Sequence, residues 1–170
     1  MTELAVIDSR RDGQPDDSTA AAIISAIREH GGSPEKVRIV NASSCAEISG
    51  RPDILVLTGD AAGTCLMTSE RIQCEILLLP GDFVACENDA HGFDARCIVT
   101  YGMSPKNTIT FSSISETTCV LAIQREFLTV NGDMLERQEI KIAGGMRPDR
   151  LLAVAGALLI LGLRMTDRNP

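Results

Sequence analysis

The chain has 170 residues, of which 44% are hydrophobic and only 3% aromatic, with no tryptophan and a formal net charge of -7. That length suits one domain with a core of its own, and that hydrophobic share excludes a disordered chain. The acidic balance and the scarcity of rings argue against nucleic-acid and anionic-lipid partners, because phosphates are repelled and bases have little to stack on.

Residues 4–8, Leu-Ala-Val-Ile-Asp, read as a buried strand ending in a carboxylate. A polar loop follows over 9–17, containing Gly13, Pro15, Asp16 and Asp17. The spacing of Ala20, Ile23, Ile24 and Ile27 predicts a helix over 18–30, capped by the Asp16-Asp17-Ser18 group and stopped by Gly31-Gly32. Strands are predicted over 36–40, 53–58, 74–79 and 97–101, with a short helix over 43–49. Their continuous apolar character fits strands buried on both faces, hence a parallel sheet.

After Tyr101 the texture changes. Residues 108–113, 118–130 and 136–142 read as antiparallel strands, with Asn131-Gly132-Asp133 as a hairpin turn. A last helix is predicted over 148–164, with Pro148 at its first turn. No repeat, low-complexity stretch or linker interrupts the chain. The expected fold is therefore α/β: a single domain over 1–170, with a mostly parallel, doubly wound sheet extended by C-terminal antiparallel strands.

The first residues lack a basic, then apolar, leader pattern. The longest apolar run, 151–163, is shorter than the roughly 20 residues of a membrane span. Six cysteines, at 45, 65, 74, 86, 97 and 119, form no C-x-x-C pair, and His30 and His91 are the only histidines. Zinc chemistry needs closer ligand pairs, so the cysteines read as reduced, buried thiols. A cytoplasmic setting is expected, with no membrane partner, no nucleic acid and no cofactor.

In open α/β sheets, ligands bind beyond the carboxyl ends of the strands. That edge should carry Asp8, Ser9, Thr58, Gly59, Asp60, Gly81, Asp82, Tyr101 and Gly102. Asp8, Asp60 and Asp82 could gather around Mg²⁺, or could cap helices and turns. Tyr101 could line a pocket, or could be a core residue with a bonded hydroxyl. His91, in a polar loop, has no triad partner at any supporting spacing.

The order of pieces resembles the central, ATP-binding domain of the Mur ligases, to which folylpolyglutamate synthetase is related. Residues 4–32 match the family's strand, phosphate loop and helix, and Ser18-Thr19-Ala20-Ala21-Ala22-Ile23-Ile24 is similar to the helix after its G-K-T. Pro52-Asp53-Ile54-Leu55-Val56-Leu57-Thr58 is similar to the strand leading to a metal-site loop, and Cys97-Ile98-Val99-Thr100-Tyr101-Gly102 to the strand before a hairpin. Residues 144–162 fall where the family has a G-x-H-N turn and a buried helix.

The departures concern chemistry. With Ser18 aligned to the metal-binding threonine, Asp17 replaces the lysine, Asp16 replaces a glycine and Pro15 removes an amide donor. Two carboxylates would then face a polyphosphate. Gly144-Gly145-Met146-Arg147 lacks the family's His and Asn, and neither flanking ligase domain is found within the 170 residues. The resemblance thus implies a non-catalytic relative with a degenerate P-loop. Such a domain would act as a binding or interaction module, toward a protein partner or itself. The alternative is a small Mg²⁺-dependent enzyme, or a nucleotide- or small-molecule-binding protein, using the strand-end aspartates.

Overall fold

Leu4-Ala5-Val6-Ile7, Ile54-Leu55-Val56-Leu57 and Leu77-Leu78-Leu79 contain no polar residue, so strands made from them have two faces to hide. The computed structural model, which describes residues 1–8, 18–65, 71–83 and 92–165, covers both. β1 (Thr2–Ile7), β2 (Val37–Ala42), β3 (Ile54–Leu57), β4 (Ile72–Pro80), β5 (Phe93–Tyr101), β6 (Ile109–Ile114), β7 (Thr118–Ile123) and β10 (Gln138–Ala143) form one eight-stranded sheet in the order β10-β7-β6-β5-β4-β3-β1-β2. Pairing is parallel from β2 through to β6, and antiparallel for β6–β7 and β7–β10. β8 (Phe127–Leu128) and β9 (Met134–Leu135) form a separate antiparallel pair.

Alternation along the strands sorts their side chains into two cores. Leu4, Val6, Ile54, Val56, Ile76, Leu78 and Val99 face α1 (Thr19–Glu29) and α3 (Pro148–Ile160). Ala5, Ile7, Leu55, Leu57, Leu77 and Leu79 pack with Ala61, Ala62 and Cys65 of α2 (Gly59–Cys65) and with Cys45. The sheet is therefore wound on both faces, as its apolar strands require.

α3 is buried at every residue from 151 to 160. A helix apolar all round needs cover on all sides. The sheet supplies one side, α1 packs beside it, and the segment through Phe127 and Val130 closes over its C-terminal end, where the Val130 amide donates to the Ile160 carbonyl at 2.9 Å. Gly156 lets the helix settle onto β4, since a Cβ there would lie 2.9 Å from Leu78 Cδ2.

Several elements differ from the sequence expectation. α3 ends at Ile160 and not at 164, because Gly162 turns the chain with φ 76°. The strand expected over 118–130 breaks after Ile123: Arg125 and Glu126 are exposed, and the chain leaves the sheet to form β8. The turn at 131–133 accordingly joins the short β8–β9 pair, not the two long strands. α2 was not anticipated, because Gly59 and Gly63 mask its helical character. No helix among the described residues is long and apolar enough to cross a membrane.

Candidate functional site

The chain leaves β1 for β2 on one side and returns to β3 on the other, so the strand order reverses between β1 and β3. In open α/β sheets this switch point opens the crevice where ligands bind. Asp8 follows β1 and Thr58 follows β3, which places both at the switch point.

Their polar groups are turned toward one another. One Asp8 carboxylate oxygen accepts the backbone N–H of Thr19 at 3.0 Å, and the other accepts the Thr58 hydroxyl at 3.0 Å. The Thr58 amide continues the ladder to the Ile7 carbonyl, and its own carbonyl accepts the amides of Ala61 and Ala62, opening α2. Thr58 thus joins β1, β3 and α2, and Gly59 is the first residue of that helix rather than a free loop residue. Ser18 caps α1: its hydroxyl accepts the Ala21 amide at 3.1 Å. Its carbonyl accepts Arg150 Nη2 at 2.7 Å, which ties α3 to the start of α1.

A second group forms at the ends of β4 and β5. The Tyr101 hydroxyl reaches across β4 and donates to the Leu57 carbonyl at 2.9 Å, and the residue is 2% exposed. The structure places Tyr101 in the core with a bonded hydroxyl, the second of the two readings its sequence allowed. Gly81 and Gly102 flank the side chain of Asn107. A Cβ at Gly81 would meet Asn107 Oδ1 at 1.6 Å, and one at Gly102 would meet Nδ2 at 2.6 Å. Asn107 is buried, and sequence reasoning missed it. The signal was indirect: glycines at two strand ends imply something large between them. Beside it, Thr100 and Thr108 clasp through side chains, the Thr108 amide donating to Thr100 Oγ1 at 3.0 Å. This clasp supplements a β5–β6 ladder with a single aligned pair, Tyr101 and Ile109.

The expected site residues therefore fall into two groups: Asp8, Ser18, Thr58 and Gly59 at the switch point, and Gly81, Tyr101 and Gly102 at the ends of β4 and β5, where the two glycines flank Asn107. Asp82 lies exposed in the turn after β4. Ser9, Asp16, Asp17, Cys86 and His91 lie outside the described residues, as does the side chain of Asp60. Among the described residues, no three His, Cys, Asp or Glu side chains gather as a metal site would need.

The described cysteines, Cys45, Cys65, Cys74, Cys97 and Cys119, form no disulfide with one another. Cys65 is drawn below the usual thiol range by a hydrogen bond from the Cys45 side chain, against the opposing effect of burial. Burial pushes Cys74 up to about 12.

What fold and edge define is an α/β domain with a mostly parallel sheet, whose switch-point polar groups bond one another. No family model matches the chain, and no curated protein matches it.

Proposed function

We propose that this chain is a Mur-ligase-like α/β domain that has given up polyphosphate binding and works as a binding module for a protein partner. The observation that carries this reading is Asp8. In a P-loop, amides at the start of the first helix point at phosphate oxygens. Here the first helical amide, that of Thr19, points at a carboxylate of the same chain. The negative end that a helix N-terminus attracts is supplied internally. A polyphosphate approaching that amide would meet a like charge.

The Mg²⁺-dependent alternative has less support. Each Asp8 oxygen already accepts a hydrogen bond, and Asp82 stands exposed beyond β4. Without phosphate chemistry, what the scaffold offers is surface.

Titration calorimetry with MgATP tests the reading. No saturable heat is expected up to millimolar nucleotide. Saturable binding at micromolar concentration would refute it and favour a nucleotide-binding protein.

A further inference from the structure

We infer that β10 is the seat of a homodimer, in which two copies of the chain pair this strand antiparallel about Ile140. Among the described residues, β10 is the last strand of the sheet and pairs only with β7. Its other edge carries backbone groups with no described strand beside them.

Which groups point outward follows from the register. The Gly144 amide donates to the Thr117 carbonyl, and Ala143 aligns with Thr118. Alternation then turns the backbone groups of Ile142, Ile140 and Gln138 toward β7. Those of Ala143, Lys141 and Glu139 point away from the sheet. A second strand can bond only to these.

Within β10 itself, side-chain charge selects one register. Glu139 and Lys141 are exposed and share the face opposite the α1–α3 core, while Ile140 and Ile142 pack on that core. Pairing two copies about Glu139 sets Glu139 against itself. Pairing about Lys141 sets Lys141 against itself. Pairing about Ile140 sets Glu139 of each copy opposite Lys141 of the other, and these are the residues whose outward backbone groups can exchange both N–H···O bonds. The same register brings the two half-buried Ile140 side chains together on the core face. A lysine on an edge strand commonly blocks pairing. Here its charge is matched in one register and mismatched in the adjacent ones, so it selects a partner strand.

β10 lies at the far edge of the sheet from the β1–β3 switch point. Self-pairing there neither needs nor uses the polyphosphate reading, and either can fail without the other.

Sedimentation velocity over micromolar to near-millimolar protein tests the inference by charge reversal. The unaltered chain should sediment as a dimer at the upper concentrations. Glu139→Lys sets lysines against lysines, and Lys141→Glu sets glutamates against glutamates. Each alone should weaken association by about tenfold or more, because two attractive cross-strand pairs become repulsive. Both positions are exposed, so circular dichroism should show each variant folded. Mixing the two variants restores opposite charges in both pairs, and the mixture should form heterodimers as tightly as the unaltered chain. A monomer at all concentrations, single variants that dimerise unchanged, or a mixture that stays monomeric would each overturn the inference.

Discussion

The carboxylate of Asp8 stands 3.0 Å from the backbone amide of Thr19, the first residue of α1. This contact closes the junction between the first strand and the first helix with a charge from the chain itself. It is stabilising for two reasons: an amide without an intrahelical partner finds an acceptor, and an anion sits at the positive end of a helix dipole. Asp8→Ala removes both and leaves the Thr58 hydroxyl without this acceptor. The expected loss is about 1–2 kcal/mol. Asp8→Asn, which keeps an acceptor oxygen, should lose less. Urea denaturation reads both, and an unchanged midpoint for Asp8→Ala would show that the contact carries no energy.

Asn107 and Gly81 make a coupled pair. The Asn107 carboxamide occupies the space of a Gly81 side chain, so Gly81→Ala overpacks a buried position. A cost of about 1–3 kcal/mol is expected. In an Asn107→Ala background the obstacle is gone, and the same Gly81→Ala change should cost less than half as much. Additive losses in the double-mutant cycle would contradict direct contact.

Leu158 lies at 2% exposure within α3, in the core cluster that the helix shares with the sheet and α1. Leu158→Asp places an uncompensated charge there, at a cost of several kcal/mol against a total of about 5–15 for a typical domain. The variant should lose its cooperative thermal transition. A variant with an intact transition and native circular dichroism would show that this face of α3 is not sealed.

The alkaline limb of stability should carry the signature of Cys74. Burial raises its folded-state pKa from the ordinary 9.0 to about 12. The unfolded chain releases the proton first, so the contribution is complete below pH 9 and declines from there as pH rises toward 12. The slope should reach roughly 1.4 kcal/mol per pH unit in that window. Cys74→Ala starts lower, because a buried group is lost, but should be flatter by that amount between pH 9 and pH 12. Parallel curves for the two proteins would contradict the assignment.

Much of the fold was legible because burial on both faces writes itself as unbroken apolar runs. Leu4 to Ile7 and Ile54 to Leu57 admit few other places than the middle of a covered sheet. The cap at Ser18 was legible for a local reason, a hydroxyl one residue before an apolar period. α2 was hidden because its glycines have poor helix propensity and tertiary packing against the sheet holds it. β8 was hidden because a two-residue strand has no period to detect. At the strand ends, the composition of the edge was visible but its direction was not. Sequence offers Asp8, Thr58 and Tyr101 as possible ligand groups. Only the geometry turns their hydrogen bonds onto Thr19, Asp8 and Leu57. Asn107 was invisible because its role is to fill the space left by two glycines, one of which, Gly81, belongs to the turn after a different strand.

The central claim is that the start of α1 is engaged by Asp8 and closed to phosphate. The Thr19 amide reports on this most directly. In a two-dimensional ¹H–¹⁵N spectrum it should resonate as a hydrogen-bonded amide. Its position should stay fixed while MgATP or pyrophosphate is added to millimolar concentration, and should move on Asp8→Ala. A saturable shift of Thr19, Ala20 and Ala21 with either phosphate in the unaltered chain would contradict the account.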